Sequence, residues 1–219
     1  MNAGLQAQLR AAAQAQMAAD SAHDIAHLDR VWANAQAIAA SHHGIDRAAL
    51  CAAAYLHDLV NLPKDAPNRA QASALSAQAA MPLMARLGMA PPSMDIARHA
   101  IEAHSFSAGI TPQTPEACIL QDADRLDALG AIGIARTFLV SGALARPLYD
   151  AADPFAQKRP LQDGAFAIDH WPIKLLRLPQ TMQTDAGRAM ARARVAVMRQ
   201  YLAALAAELG QPVPQNWGL

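Results

Sequence analysis

Residues 47–60, RAALCAAAYLHDLV, decide the fold of this chain. The segment follows Asp46, a residue type that often caps the N-terminus of a helix. Its apolar residues continue through CAAAYL, and Ala and Leu are strong helix formers, so we predict a core helix through residues 47–60 that the Pro63 region ends. His57 and Asp58 follow directly at the C-terminal end of that helix. An ionisable pair is costly to bury there unless both groups are paired or bound to a metal.

The rest of the 219-residue chain has the composition and spacing of further helices. Hydrophobic residues make up 53% of it, which is ample for a core and excludes a disordered chain. Alanine is abundant, and no segment alternates polar and apolar residues as strands do, so we predict an all-α fold. The first helix is expected around residues 5–13. Further helices are expected near residues 24–41, 69–87, 94–104, 115–129, 132–145, 170–178 and 185–209.

Charge and cysteine content limit the classes of function. The chain has 18 Lys and Arg against 18 Asp and Glu, so no basic excess indicates binding to nucleic acid or to a membrane. No charge-free apolar stretch approaches the ~20 residues of a membrane span, and the first residues lack the apolar core of a signal peptide. Two isolated cysteines do not make a disulfide framework. We therefore expect a cytoplasmic protein.

Two further groups of ionisable residues are spaced for a shared site. Asp24, His27 and Arg30 recur every three residues and would lie along one helical face. The stretch ILQDADRLDALG, residues 119–130, contains three acids, Asp122, Asp124 and Asp127. At about 100° per residue, the first two point about 200° apart and cannot reach one ion from a regular helix. Spacing alone leaves open which acid would bind.

The ordered residues His27, His57-Asp58 and Asp124 resemble the H…HD…D signature of the HD superfamily of metal-dependent phosphohydrolases. Several further stretches resemble its YedJ-like subgroup. These are HLDRVW (27–32), YLHDLV (55–60), AHSFSAGI (103–110), QDADRLDALGAIGIAR (121–136), DPFAQKRPL (153–161) and KLLRLPQTMQT (174–184). The resemblance spans about residues 20 to 210. It implies an HD-domain helical bundle, with residues 1–219 as one domain that has a core at about 20–145 and a C-terminal helical extension at about 146–210.

The resemblance also implies a metal site. One divalent ion, Mn, Fe, Co, Ni or Mg, would be held by His27, His57, Asp58 and Asp124, which selects Asp124 among the three acids. Such an ion lowers the pKa of bound water, which then attacks a phosphoester. His57 and Asp58 would be catalytic as ligands, with Asp58 or Asp124 also orienting that water. Some relatives place extra histidines before the last aspartate, and His104 is therefore expected to hold a second metal or contact the phosphate.

The substrate implied is a small phosphomonoester or phosphodiester, of a nucleotide or related metabolite. Its negative charge calls for nearby cations, for which the candidates are Arg30, Lys64, Arg69, Arg125 and Lys174. Lys174 belongs to a region, residues 146–183, that is expected to cover the site. The alternative is a non-catalytic HD bundle that binds a metal or nucleotide as a sensor or interaction module. Retention of all four ligand-type residues favours the enzyme.

Overall fold

The computed structural model describes residues 3–16, 24–62, 68–105 and 108–217. Within these ranges the chain forms α-helices and short 3-10 helices and no strand, which confirms the predicted all-α fold. The α-helices are α1 (Ala3–Gln16), α2 (Ile25–Ala39), α3 (Arg47–Leu56), α4 (Ala72–Arg86), α5 (Pro91–His104), α6 (Pro115–Asp127), α7 (Gly130–Ala143), α8 (His170–Ile173) and α9 (Asp185–Glu208).

The chain divides into two compact units, Met1–Asp124 and Arg125–Leu219. The division predicted from the sequence, a single domain with a core at about 20–145 and a helical extension at about 146–210, stays a prediction. No single helix among the described ranges is long and apolar enough to cross a bilayer, and only α6 and α7 taken together across their break meet that criterion. The cytoplasmic location also stays a prediction.

Helix α3 is the centre of the first unit. Its N-cap is Asp46, as predicted, whose Oδ1 accepts hydrogen bonds from the backbone N–H groups of Ala48 and Ala49 at 2.9 Å. Every residue from Ala49 to His57 is buried, and the helix packs against α1, α2, α4 and α5. Because α3 is surrounded by other helices, His57 at its C-terminal end is buried among them and Asp58 is half-buried.

Helix α2 begins next to α3 and presents its first turn to the same region. The Asp24 side chain caps it by accepting a hydrogen bond from the backbone N–H of His27 at 2.9 Å. At the other end, Nδ1 of His42 donates to the carbonyl oxygen of Ile38 at 3.0 Å, a favourable position for a basic group near a helix C-terminus. The capping residues therefore fix both ends of α2.

In the second unit, α7, α9 and the 3-10 helix Leu175–Thr181 pack together around aromatic side chains. Trp171 is fully buried between Phe138 and Tyr201, with ring centroids 6.2 and 5.6 Å away. Leu175 and Leu178 are also buried. The segment around Trp171 thus supplies a large part of the apolar core of this unit.

The irregular segment 144–169 is held by its own charged groups. The Asp153 carboxylate accepts hydrogen bonds from the backbone N–H groups of Lys158 and Arg159 at 2.7 and 3.1 Å. The guanidinium of Arg159 donates two hydrogen bonds, of 2.5 and 3.0 Å, to the buried carboxylate of Asp169. The guanidinium of Arg159 is therefore engaged within this segment.

Several predicted helix limits were wrong. Helix α3 ends at Leu56 instead of continuing through Val60. Proline or glycine accounts for two of the other differences. Helix α5 begins at Pro91 rather than at 94, because proline fits the first turn of a helix. Helix α7 begins at Gly130, whose φ of +70° is a conformation that glycine readily adopts. The predicted helix 170–178 is two pieces, α8 and the 3-10 helix Leu175–Thr181, because the backbone at Lys174 leaves helical geometry.

Candidate metal centre

The four predicted ligands of the first unit lie close together. His27 Nε2 lies 3.5 Å from Asp124 Oδ1 and 3.8 Å from Asp58 Oδ2. His57 Nε2 lies 3.8 Å and 3.7 Å from the same two oxygens. Two ligand atoms that each lie about 2.1 Å from a shared ion are at most about 4.2 Å apart. All four distances fall within that span, so either histidine could share an ion with either carboxylate.

One hydrogen bond fixes the protonation of the His57 ring. His57 caps the C-terminus of α3, and its Nδ1 lies 3.0 Å from the carbonyl oxygen of Ala54. A carbonyl oxygen only accepts, so Nδ1 carries the proton and Nε2 has a free lone pair. That Nε2 atom is fully buried and has no hydrogen-bond partner among the described residues. A buried acceptor in this state is the form of imidazole that binds a metal ion.

The structure distinguishes the three acids that spacing left open. Asp124 directs its carboxylate at His27 and His57, and its side chain keeps 30% of its exposed area. Asp122 and Asp127 are buried, and Asp127 forms an ion pair with Arg136. The geometry therefore singles out the acid that the resemblance implied, whereas its role as a ligand stays a prediction.

His104 contacts the other oxygen of Asp58. It is the last residue of α5, its Nε2 lies 3.7 Å from Asp58 Oδ1, and its ring centroid lies 4.8 Å from that of His57. Its Nδ1 donates to the carbonyl oxygen of Ile101 at 2.7 Å, which orients Nε2 toward Asp58. Two overlapping groups of possible ligands result, His27 with His57 and Asp124, and His57 with Asp58 and His104.

Burial and charge set the protonation states of these groups. Burial lowers the pKa of His57 to about 4, although the charges of Asp58 and Asp124 raise it. For Asp58, burial raises the pKa, but His57, His104 and His27 outweigh it and hold the pKa well below the usual value. For His104, burial lowers the pKa, and interaction with the Asp58 carboxylate more than offsets this and raises it. The metal-free site thus combines a neutral His57 with an ionised Asp58.

The predicted substrate-binding cations of the first unit lie in different settings. Arg30 lies one turn after His27 on α2 and is half-buried. Arg69 donates hydrogen bonds to Asn61 Oδ1 at 2.9 Å and to the carbonyl oxygen of Leu62. Its guanidinium thus ties down the segment that follows Asp58. Lys64 lies outside the described residues.

The other two candidate cations belong to the second unit. Arg125 follows Asp124 directly and donates to the carbonyl oxygen of Thr181 at 2.5 Å. Lys174 is exposed, between α8 and the 3-10 helix Leu175–Thr181. Arg125 therefore binds backbone of its own unit, while Lys174 presents its side chain at the surface. Their roles toward a substrate stay predictions.

Several buried polar residues that support the site were not anticipated. Asn34 of α2 donates to the carbonyl oxygen of Ala123 at 3.1 Å, directly before Asp124. Gln121 donates to the carbonyl oxygen of Ala103 at 2.8 Å, directly before His104. Ser76 Oγ accepts from the backbone N–H of Val60 at 3.0 Å. A polar residue within an apolar helix pattern is the available signal, but sequence alone does not identify its partner.

A second histidine of α5, His99, forms a structural hydrogen bond. His99 Nε2 accepts a hydrogen bond from the backbone N–H of Gln113 at 2.9 Å. This bond joins α5 to the segment that leads into α6. His99 therefore serves as a comparison residue for His104 on the same helix.

The donor set fits a divalent ion. Two imidazole nitrogens and two carboxylates, without a thiolate, suit Mn²⁺, Fe²⁺, Co²⁺ or Ni²⁺, and carboxylates and water also suit Mg²⁺. The lone pair of His57 Nε2 is available in the buried site, and both carboxylates keep some exposed area, 21% for Asp58 and 30% for Asp124. The exposed sides of the carboxylates leave room for water or substrate to approach.

The chain is similar to several known proteins in sequence and in fold. The family model of the HD domain matches residues 24–129. The protein YpgQ of Bacillus subtilis (strain 168) is 32% identical over 186 residues, which cover 83% of this chain and 82% of that protein. The crystal structure of Bacillus subtilis YpgQ in complex with ADP has a TM-score of 0.71 at 32% identity, covering 93% of this chain and 97% of that one. An HD-superfamily hydrolase from Bacillus thuringiensis has a TM-score of 0.72 at 28% identity, covering 94% and 97%.

Proposed function

This chain belongs to the HD superfamily, and on that premise we propose that it is a metal-dependent phosphohydrolase. The reaction is hydrolysis of a phosphomonoester or phosphodiester. The observation that carries the proposal is the convergence of His57 Nε2 and His27 Nε2 on Oδ2 of Asp58 and Oδ1 of Asp124, at 3.5–3.8 Å. The YedJ-like subgroup stays a prediction.

In this proposal, His27, His57, Asp58 and Asp124 hold one divalent ion. The ion supplies a bound water of lowered pKa and positive charge for a phosphoryl oxygen. The residues of the chain provide the geometry. The carbonyl oxygen of Ala54 keeps the His57 proton on Nδ1, and the partly exposed side chains of Asp58 and Asp124 present their carboxylate oxygens to the site. Asp58 is placed to orient a water through the oxygen that does not face His57.

His104 contacts the phosphate in this scheme. Its Nε2 lies 3.7 Å from Asp58 Oδ1, and its pKa is raised because the Asp58 carboxylate more than offsets the effect of burial. A protonated imidazole at this position donates a hydrogen bond to a phosphoryl oxygen or a proton to the leaving oxygen. Arg30, on the same helix as His27, is the second candidate for binding the phosphate.

We propose a nucleotide or a related phosphorylated metabolite as the substrate class. The support is that the YpgQ structure, at 32% identity over nearly the full length of both chains, is a complex with ADP. Arg69, Arg125, Lys174 and Lys64 remain candidates for contacts with the rest of such a ligand. For Arg69 and Arg125 the contribution would be indirect, since their guanidinium groups bind backbone carbonyl groups of this chain.

Metal analysis combined with a hydrolysis screen tests the proposal. The purified protein is stripped with a chelator, reloaded separately with Mn²⁺, Mg²⁺, Co²⁺, Ni²⁺ or Fe²⁺, and assayed against nucleotides and simple phosphoesters. We expect about one bound ion per chain and turnover only in the reloaded samples. Asp58→Ala should lose both, while Asp95→Ala, an exposed acid on α5, should keep both.

The outcomes separate the enzyme from its alternative. Binding of an ion and of ADP without any product would favour the non-catalytic sensor or interaction module. Hydrolysis that persists in Asp58→Ala, or a wild-type protein that binds none of the five ions, would contradict the proposed site.

A further inference from the structure

Helix α1, which lies outside the family model, reaches both helices that supply histidines to the metal centre. Arg10 donates from Nε to the two carboxylate oxygens of Asp29 on α2, at 3.0 and 3.1 Å, and from Nη2 to Oδ2 at 2.9 Å. One turn earlier, Gln6 Nε2 donates to the hydroxyl of Tyr55 on α3 at 3.3 Å. One face of α1 thus contacts α2 and α3 through polar groups.

Asp29 and Tyr55 also bind each other. The Tyr55 hydroxyl donates to Asp29 Oδ1 at 3.0 Å, and Tyr55 is 1% exposed. Asp29 follows His27 by two residues, and Tyr55 precedes His57 by two. Helices α2 and α3 are therefore in contact at two places that lie two residues apart along each helix. One is the hydrogen bond between Tyr55 and Asp29, and the other is the pair of histidines, whose ring centroids are 5.4 Å apart.

We infer that Arg10 is a positioning residue for the metal centre. By fixing the Asp29 carboxylate against the Tyr55 hydroxyl, it sets how closely α2 approaches α3 and thereby the separation of His27 and His57. The inference rests on the proposed function, because it concerns the same metal site. Arg10 acts through Asp29 and Tyr55 and touches neither ion nor substrate.

The chemistry of the contact suits positioning. A guanidinium that binds a carboxylate with two nitrogens fixes the plane of that carboxylate as well as its distance. The buried Tyr55 hydroxyl then finds its acceptor in one orientation. Without Arg10, the half-exposed Asp29 side chain is free to turn toward water, and the bond that holds α2 to α3 beside the histidines loosens. Ligands that are held less well bind an ion less tightly.

The competing interpretation is a surface ion pair that contributes only to stability. The side chains of Arg10 and Asp29 keep 41% and 37% of their exposed area, and exposed pairs generally stabilise a protein little. Stability and metal affinity must therefore be measured separately. Arg98 offers a matched control, since its side chain is 42% exposed and its ion pairs stay within α5.

The experiment compares Arg10→Gln, Arg10→Lys, Tyr55→Phe and Arg98→Gln with the wild type. Each protein is stripped of metal, and the Kd for Mn²⁺ is measured by calorimetry well below its Tm, with Tm recorded separately. We expect Arg10→Gln and Tyr55→Phe to bind Mn²⁺ about three- to tenfold more weakly. Arg10→Lys keeps the positive charge but cannot bind the carboxylate with two nitrogens, so its Kd for Mn²⁺ should lie between those of Arg10→Gln and the wild type. Arg98→Gln should bind as the wild type does.

Two results overturn the inference. The first is an unchanged Mn²⁺ Kd in Arg10→Gln and Tyr55→Phe, whatever happens to Tm, since the contact is then only structural. The second is an equal loss of affinity in Arg98→Gln, which shows a general effect of removing a surface charge. Either result leaves the proposed function intact, because the wild type still binds Mn²⁺. Failure of the wild type to bind Mn²⁺ or any other divalent ion contradicts the proposed function itself and the inference with it.

Discussion

Nε2 of His104 lies 3.7 Å from Oδ1 of Asp58, whereas the Nε2 atoms of His27 and His57 lie 3.8 and 3.7 Å from Oδ2 of the same carboxylate. Asp58 therefore directs one oxygen at the predicted ligands and the other at His104. Although His104 also forms a candidate ligand group with His57 and Asp58, we expect it to act on the substrate and the other two histidines to hold the ion. His104 is then available for contact with a substrate.

We predict that His104→Gln keeps the bound ion and loses turnover. Removing an imidazole that donates to the reacting phosphate should lower kcat by about 10²-fold or more, while the Mn²⁺ Kd changes by less than about threefold. Steady-state kinetics and calorimetry measure the two effects. His99→Gln is the control on the same helix and should keep both values. Loss of the ion in His104→Gln, to the extent seen in Asp58→Ala, would instead make His104 a ligand.

Arg30 should affect the substrate and not the ion. Arg30→Ala is expected to raise KM or lower kcat/KM by about tenfold to a hundredfold, because it removes a charged hydrogen bond to the phosphate. Its metal content should stay at the wild-type level, in contrast to Asp58→Ala. Equal loss of metal in both variants would show that Arg30 supports the fold of α2 rather than binding phosphate.

In the metal-free protein, the pKa values of the two histidines next to Asp58, His57 and His104, should be shifted in opposite directions. Burial lowers the pKa of His57 from 6.5 to about 4, so its ring signals should shift near pH 4. The Asp58 carboxylate more than offsets burial at His104 and raises its pKa, so that ring should titrate above pH 6.5. NMR of the imidazole signals in chelator-treated protein measures both. A His57 ring that titrates at or above 6.5 would contradict the buried neutral state.

The same shifts determine how these groups contribute to stability. In the unfolded chain His57 takes up a proton near pH 6.5 and in the folded chain only near pH 4, so its contribution weakens the fold as the pH falls across that range. His104 acts with the opposite sign. Its contribution is full below about pH 6.5 and is lost as the pH rises through its folded pKa.

Much of the fold could be predicted because local signals agreed with the tertiary structure. Asp46 caps α3, as expected of an aspartate before a helix, and the apolar run that follows it is buried, as its hydrophobic residues predict. The predicted helix 170–178 was wrong in detail, since the backbone at Lys174 leaves helical geometry with φ −129° and ψ −61° before a 3-10 helix. Propensity does not encode such a break.

The candidate site shows the same limit. Helical spacing showed that Asp122 and Asp124 point apart, but the choice of Asp124 came from a family resemblance. The contacts that orient the site join residues far apart in sequence, such as Asn34 with the carbonyl group of Ala123, 89 residues on. No local pattern links these partners, so the supporting residues emerge only from the folded structure.

The last prediction concerns Lys174, the exposed cation of the region that we expect to cover the site. That region has a clear packing role, because Trp171, Leu175 and Leu178 are buried in the second unit. Arg159, another cation of the region, is bound to the Asp169 carboxylate. Lys174 is the residue tested because its side chain is exposed. Removal of the Lys174 charge should change KM only if the region also binds the phosphorylated substrate.

We predict that Lys174→Met raises KM by about threefold to tenfold and leaves Tm unchanged, because methionine keeps much of the aliphatic stem and removes the ammonium group. The control is Arg192→Met, which removes an exposed charge from α9 in the same unit and should change neither quantity. KM is measured with the best substrate found in the screen, at saturating metal. A lower Tm in Lys174→Met would point to a structural role for the side chain. If both folding and KM stay at wild-type values, the region is packing material and the proposed cover is wrong.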